Sequence, residues 1–163
     1  MSSSRAWLGV VRRLVIPGAA AFAVLQAAPA FAVLGGDLST VTAAQSRMRA
    51  ARVTTAAAQG TTVHELRLAD GSAIREFVNA QGIVYAVAWS TRLKPDYSYL
   101  LGIHAAEFEA GIAAKASTPG LKRSVAVERG DLVVHSSGRL GSFVGKAWLK
   151  SQLPAGVGAD AIR

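Results

Sequence analysis

The chain has 163 residues, no cysteine and a formal net charge of +8, with 18 basic and ten acidic residues. Its length suits one domain, and the lack of cysteine excludes disulfide bonds, thiolate metal sites and a lipid-modified cysteine. The basic charge would suit nucleic acid, but without a long Lys/Arg run or stacking-aromatic motif it predicts a basic soluble surface and no nucleic-acid partner.

The first 32 residues have the pattern of a cleavable signal peptide. A positive segment precedes an apolar run at residues 14–28, and Ala30-Phe31-Ala32 is a small-x-small cleavage site. The positive residues are Arg5, Arg12 and Arg13. The apolar run is shorter than the about 20 residues of a membrane-spanning helix. We therefore expect cleavage after Ala32 and no transmembrane helix in the product.

Removal of this segment changes the expected compartment and charge. Residues 33–163 would form a single exported domain, in the periplasm or outside the cell. The signal segment carries three basic and no acidic residues, so the remainder has 15 basic and ten acidic residues and a net charge of +5. The exported product is thus expected to be only mildly basic.

The segment after the cleavage site predicts a short helix and a linker. Thr42 and Gln45 have the spacing of a capping box, and apolar residues follow at helical spacing as far as Arg52. We expect a helix from about Thr42 to Arg52. The small residues from Thr54 to Gly60 are expected to form a linker.

The stretch from Thr61 to Trp89 predicts an antiparallel meander, because three β-rich runs are separated by two turn clusters. A two-residue turn at Asp70-Gly71 would place Glu65 opposite Glu76. The second turn would place Glu76 opposite Tyr85. In that register Ala86 and Ala88 share a face with His64 and Leu66 and leave room for a helix.

The next segment predicts one long helix, with Asp96 as its cap and its end near Lys115. Its residues at four-residue intervals form an apolar stripe, while Glu107 and Glu109 lie outside it. The stripe consists of Leu100, His104, Phe108 and Ile112. We expect this helix to cover the meander, with Phe108 buried against Ala86 or Ala88.

Period-2 alternation returns after residue 123 and predicts three more strands, at 124–128, 132–136 and 140–148. Their turns are expected at Arg129-Gly130 and Ser137-Gly138. Both groups of strands end in Ala-Trp, which hints at a duplicated unit. The whole pattern predicts an α+β fold: antiparallel meanders of about six strands, one long helix packed on the sheet and a short N-terminal helix.

Taken together, these segments resemble a family of small exported bacterial proteins that is known only as a domain of unknown function. The resemblance covers nearly all of residues 33–163 and implies export and a shared fold. It brings no activity, ligand or catalytic residue. The segments that carry it are Leu34-Gly35-Gly36, residues 62–65, 71–78 and 82–89, Pro95-Asp96, Leu100-Leu101-Gly102, residues 130–134, Gly145-Lys146-Ala147-Trp148 and Leu153-Pro154-Ala155-Gly156.

Candidate chemistry is sparse. His64, His104 and His135 lack the spacing of zinc ligands, so no metal and no cofactor is expected. Glu65 and Glu76, if opposite each other, would offer the paired carboxylates of a glycosidase. The competing interpretation is a charged patch that nearby arginines neutralise.

The sequence therefore favours a non-enzymatic exported protein that binds or supports another envelope component, either a protein or a polymer. One alternative is a hydrolase of envelope polymers that uses Glu65 and Glu76. A second alternative is a carrier of a small apolar ligand held between helix and sheet. An exposed sheet edge or flat apolar patch would favour the binding protein.

Overall fold

A computed structural model describes residues 34–56, 60–115 and 124–163. The segment predicted as a signal peptide and its cleavage site lie outside these residues. The strands are β1 (Ala51–Ala56), β2 (Thr62–Arg67), β3 (Ala73–Val78), β4 (Val84–Thr91), β5 (Ser124–Arg129), β6 (Leu132–Arg139) and β7 (Ser142–Leu149). The helices are α1 (Leu38–Met48), α2 (Tyr97–Leu101) and α3 (Ala105–Lys115), with 3₁₀ turns at Gly102–His104, Lys150–Gln152 and Ala159–Ala161.

The strands form one antiparallel sheet in the order β1-β2-β3-β4-β7-β6-β5. The three α-helices pack on one face, where their apolar residues join the larger core cluster with Leu66, Trp89 and Val134. This is called the helix-covered face below. The other side, called the open face, carries a smaller cluster with Phe77, Ala86 and Trp148. The predicted α+β fold is confirmed, with seven described strands instead of about six.

The N-terminal helix starts four residues earlier than predicted. Asp37 is its cap, since its carboxylate accepts a hydrogen bond from the Ser39 amide at 2.9 Å. The helix ends at Met48, because Arg49 adopts a left-handed conformation with φ 49°. The predicted capping box at Thr42 and Gln45 was therefore wrong. The predicted linker was also partly wrong, because its first residues, from Thr54, belong to edge strand β1.

The predicted meander is confirmed in β2, β3 and β4, but its register was wrong at the first turn. The Asp70 carboxylate accepts hydrogen bonds from the Ser72 amide at 2.8 Å and the Ser72 hydroxyl at 2.9 Å. With the Leu68–Ser72 backbone pair, this makes a three-residue loop with Gly71 at φ +85°. Pairing shifts by one residue, so Glu65 lies opposite Arg75 and not opposite Glu76.

The second turn shifts the register as well. The Asn79 side chain accepts hydrogen bonds from the Gln81 amide at 3.1 Å and the Ile83 amide at 3.0 Å. A bulge beside Val78 then places Glu76 opposite Val87 and not opposite Tyr85. This second shift is two residues and keeps the predicted grouping of Phe77 with Ala86, whereas the one-residue shift at the first turn exchanges the faces of β2 relative to β3. The predicted assignment of β2 residues to the two faces was therefore wrong. The helix-covered face carries His64, Leu66, Ile74, Glu76, Val78, Val87 and Trp89, whereas Glu65, Phe77, Ala86 and Ala88 lie on the open face.

The predicted long helix is present from residue 97 to residue 115, with a break. Asp96 caps its start as expected, but Gly102 has φ 53° and separates α2 from α3. Leu100 and Phe108 are fully buried, whereas Ile112 lies 37% exposed because the break changes the phase of the stripe. Phe108 contacts the Tyr97 ring at a centroid distance of 4.8 Å.

The environment predicted for Phe108 was therefore only half right. It is buried in the core of the helix-covered face, with Trp89 and Val127 among the members of that core. It does not pack on Ala86 or Ala88, since both of these lie on the open face.

The prediction that this helix covers the meander was also wrong for α3, which lies over β5: Gly111 approaches the Val127 side chain, and Lys115 donates a hydrogen bond to the Ala126 carbonyl. Only α2 reaches β4, where the Tyr97 ring meets the Trp89 ring at a centroid distance of 6.0 Å.

The second strand group has a later hairpin than predicted. Strands β6 and β7 turn at Leu140-Gly141, with Gly141 at φ +81°, and Ser137-Gly138 remains inside β6. The two Ala-Trp endings also differ, because Trp89 lies in the core of the helix-covered face and Trp148 in the open-face cluster. The suggested duplication therefore lacks structural equivalence at its best-matching residues.

Candidate functional site

Among the described residues, one segment covers the open face, at one end of the sheet. The C-terminal segment after β7 crosses this face, and Ile162 is fully buried in the cluster with Phe77 and Trp148. Beyond this cover lies a groove of about 630 Å³, the open-face groove, which has Arg75 at one side and Arg163 near the cover. The tail thus turns an otherwise flat sheet surface into a site with one wall.

The floor of the groove combines six alanine and serine side chains with three basic ones and Val144, aligned across five strands. The β3–β4–β7–β6–β5 pairing brings together one row made of Arg75, Ala88, Lys146, His135 and Ala126. The next row consists of Ala73, Ser90, Val144, Ser137 and Ser124. Because alanine and serine dominate, an incoming molecule can approach the sheet backbone closely.

Basic side chains stand among these small residues. The Lys146 ammonium donates a hydrogen bond to the Ala159 carbonyl at 2.7 Å and lies 5.7 Å from the Trp148 ring centroid. His135 meets the same Trp148 ring edge-on at a centroid distance of 5.2 Å. Among the described residues that line the groove, none carries a carboxylate side chain. The groove therefore presents positive charge above a small-residue floor.

Glu65 lies at the margin of this groove and is held by arginines. Its carboxylate accepts hydrogen bonds from Arg75 Nε at 2.7 Å and from Arg67 Nε at 2.5 Å. The hydrogen bond from Arg75, and then that from Arg67, lower the pKa of Glu65. This is the arginine-neutralised patch that the sequence offered as the competing interpretation of the two glutamates.

Glu76 lies on the helix-covered face instead. It is 1% exposed and pairs in register with His64, which is 4% exposed. Burial raises the pKa of Glu76 to about 7, and the charge of Arg52 opposes this rise. Burial also lowers the pKa of His64, whose Nδ1 is 2.9 Å from the Thr54 hydroxyl. Among the described groups, Glu76 Oε2 and His64 Nε2 have no hydrogen-bond partner.

The structure therefore separates the two glutamates that the sequence placed together. Glu65 and Glu76 lie on opposite faces of the sheet, because Glu65 pairs with Arg75, the strand neighbour of Glu76. A sugar bond held at one face cannot meet both carboxylates, as glycosidase chemistry requires. The paired-carboxylate geometry on which the hydrolase hypothesis rests was wrong.

The three histidines are also apart. His64 lies under the helices, His135 lines the groove, and His104 Nδ1 is 3.3 Å from Glu107 Oε2 on the helical side. No group of three or more His, Cys, Asp or Glu side chains in the described ranges is placed to hold a metal ion. The expectation that the chain binds no metal or cofactor stays a prediction.

Sequence reasoning missed Arg75, His135 and Lys146 as members of one site. They come from strands β3, β6 and β7, and they align only because β4 pairs with β7 across the two halves of the chain. Alternation within each strand places His135 and Lys146 on one face or the other. It cannot indicate which distant strand lies beside them.

A family model described as "Protein of unknown function (DUF2844)" matches residues 30–162. No curated protein and no solved structure matches the chain. Within the described part of the chain, no helix combines the length and apolar character that a membrane crossing requires.

Proposed function

The chain belongs to the DUF2844 family of proteins of unknown function, and we propose that it is an exported, non-enzymatic protein that binds an anionic polymer of the bacterial envelope. The open-face groove is the binding site in this proposal. Export through the signal peptide of residues 1–32, to the periplasm or the cell exterior, is part of the same proposal.

The shape of the groove supports a long, thin ligand. Its floor spans five strands, which corresponds to a width of about 19 Å at about 4.8 Å per strand. The side chains of Ala88, Ser90 and Ser137 project little from the sheet, so a chain of sugar rings can lie flat across them. The groove is open above, which suits a polymer that continues past the site at both sides.

The charges support an anionic ligand. Arg75 and Lys146 lie two strands apart in one row, about 10 Å from each other at sheet spacing. His135 is next to Lys146 in the same row and adds a donor, or a charge when it is protonated. Because Glu65 offsets part of the Arg75 charge, Lys146 and His135 are the main donors that repeated carboxylates along a polymer would meet. This row is the observation that carries the proposal.

The two alternatives have less support. The hydrolase lacks its pair of carboxylates on one face. A carrier would need space between helices and sheet, where the Trp89, Tyr97 and Phe108 rings fill the core with centroid distances of 6.0 Å and 4.8 Å. A binding protein needs neither feature and uses the surface that the helices leave uncovered.

Two matched variants, each of which removes one positive charge, test this proposal. Lys146→Gln removes a charge from the groove, and Lys150→Gln removes the same charge outside it, where Lys150 pairs with Glu128 at 3.2 Å. With an oligosaccharide of uronic acids as probe, titration calorimetry should show about tenfold weaker binding for Lys146→Gln, since a charge-assisted hydrogen bond contributes about 1.5–3 kcal/mol. Lys150→Gln should bind as the parent does.

Two results would contradict the proposal. The first is that the parent protein does not bind the oligosaccharide at any salt concentration. The second is that Lys146→Gln and Lys150→Gln weaken binding equally, which would indicate attraction by net charge and not by a site. Unfolding midpoints of both variants show whether loss of the Lys146–Ala159 hydrogen bond has disturbed the tail.

A further inference from the structure

Two loops expose leucine at one end of the sheet. Leu93 follows β4 and is 76% exposed, and Leu140 occupies the tip of the β6–β7 hairpin and is 100% exposed. Single exposed apolar residues are ordinary on protein surfaces, whereas grouped ones mark interaction sites. The distance between the two loops therefore decides whether the leucines form one interaction site.

The loops lie side by side and are tied together. Thr91 pairs in register with Phe143, which places the end of β4 beside the start of β7. The Thr91 hydroxyl lies 2.7 Å from the Leu93 carbonyl and 3.5 Å from the Phe143 carbonyl. The Phe143 ring rests against the backbone of Gly138, just before the hairpin tip. The two leucines therefore project from one braced end of the sheet.

Exposed cations flank each leucine in sequence. Arg92 and Lys94 enclose Leu93, and Arg139 precedes Leu140; the side chains of all three cations are exposed. Two carboxylates lie near these cations, Asp70 beside Arg92 and Asp96 at the start of α2, and hydrogen bonds from Ser72 and Ser98 lower their pKa values and keep them charged. The three cations therefore leave one net positive charge. From Leu132 to Leu149 the hairpin has no acidic residue. This end of the sheet is therefore both apolar at its tips and positive around them.

We propose that this surface, the loop patch of Arg92, Leu93, Lys94, Arg139 and Leu140, docks on an anionic lipid membrane. A bilayer presents a negative headgroup layer above an apolar layer. The leucine tips would enter the boundary between headgroups and acyl chains, while the cations remain at the level of the phosphates. A leucine flanked by cations therefore matches a lipid bilayer better than it would match an apolar surface of another protein.

The loop patch lies beyond the groove residues Arg75, Lys146 and His135, so lipid docking does not depend on the polymer ligand. It would hold the protein loosely at a membrane face, since two leucine side chains bury little apolar area and each basic residue adds a modest attraction. The attachment is therefore reversible and sensitive to salt.

Vesicle binding of the exported protein, its N-terminus established by intact mass, tests the inference. The probes are vesicles of phosphatidylcholine with phosphatidylglycerol and vesicles of phosphatidylcholine alone. The parent should bind the anionic vesicles about tenfold more tightly at low salt. Leu93→Ser with Leu140→Ser should reduce that binding about tenfold, and Arg139→Gln with Lys94→Gln should remove the preference for anionic lipid.

Ile103→Ser is the matched control for the leucine variant. Ile103 is 85% exposed on the 3₁₀ turn after α2. Its neighbour His104 lies near Gly35 and Leu149, at the end of β7 opposite to Phe143. This variant should bind as the parent does, which separates the loop patch from general loss of surface hydrophobicity.

Three outcomes would overturn the proposal. The first is that the parent binds neither kind of vesicle. The second is that Ile103→Ser weakens binding as much as the double leucine variant. The third is sedimentation that shows a dimer of the parent which the leucine changes dissociate, in which case the loop patch contacts a second copy of this chain and not a lipid surface.

Discussion

Glu65 and Glu76 lie on opposite faces of one sheet, and their carboxyl groups have pKa values shifted in opposite directions. Glu65 on the open face is held by two arginines, which lower its pKa, while Glu76 on the helix-covered face is buried with its pKa raised to about 7. The two residues lie on adjacent strands, β2 and β3. The face of the sheet, and not the type of residue, therefore determines the ionisation of each carboxyl group.

The faces also differ in how they are filled. On the helix-covered face, the rings of Tyr97 from α2 and Phe108 from α3 contact each other, and the Tyr97 ring contacts Trp89 of the sheet. The open face has alanine and serine where the tail does not reach it. Substitutions in the core of the first face should change stability, and substitutions in the open-face groove should change binding with little effect on stability.

The largest expected change in stability comes from substitution of Phe108 on the helix-covered face. Phe108→Ala removes a ring that is 1% exposed and leaves a cavity, so it should lower the free energy of unfolding by about 3–5 kcal/mol. Glu109→Ala changes the exposed neighbour and should alter it by no more than about 0.5 kcal/mol. Denaturant unfolding of both variants gives the comparison. Equal midpoints would mean that α3 does not pack through Phe108.

The next effect is a pH dependence that belongs to the helix-covered face. The pKa of Glu76 rises from 4.5 in the ordinary state to about 7 in the folded protein, so folding favours the protonated form. Stability from this group is fully present below pH 4.5 and is lost as the pH rises through 7. At about 1.4 kcal/mol per pKa unit, the loss amounts to ~3 kcal/mol.

Glu76→Gln should remove this loss, because glutamine has no proton to release. The unfolding free energies of parent and variant, measured between about pH 3.5 and about pH 8, roughly one unit either side of the window, should diverge as the pH rises. His64 acts in the opposite sense, since its lowered pKa weakens the fold below pH 6.5, but it is common to both proteins. A difference that is constant with pH would show that Glu76 is not buried as described.

The smallest effect is expected at Glu65 on the open face. Its arginine partners are 66% and 43% exposed at the side chain, and exposed ion pairs contribute about 0–1 kcal/mol. Glu65→Gln should therefore lower the free energy of unfolding by less than about 1 kcal/mol, and added salt should shrink the difference. A loss as large as that of Phe108→Ala would mean that the open face is part of the core.

The sequence predicted the elements of this fold well, because alternation and helical spacing are local properties. The α+β class, the meander and the cap at Asp96 all followed from neighbouring residues. The register failed at Asp70 and Asn79, where side chains accept hydrogen bonds from backbone amides and lengthen or reshape the turns. One residue of shift was enough to move Glu76 from a supposed charged pair into the core.

The candidate site was beyond prediction for a different reason. Arg75 and Lys146 are 71 positions apart in the numbering. They lie in one row of the sheet because β4 pairs with both β3 and β7. Nothing in the local pattern of either strand indicates that pairing. The tail that closes one end of the groove also had no regular pattern, so its packing through Ile162 could not be expected.

The most direct test of the proposed binding site is an NMR titration of residues 33–163 with the oligosaccharide of uronic acids. We predict that amide shifts change on the open face, at Ala88, Ser90, Ser137 and Lys146, and that in Lys146→Gln the shifts of Ala88, Ser90 and Ser137 need about tenfold more oligosaccharide to change by the same amount. The amide chemical shifts of α1 and α3 should not change. Shift changes confined to the helices, or spread evenly over all basic surfaces, would contradict a binding site in the open-face groove.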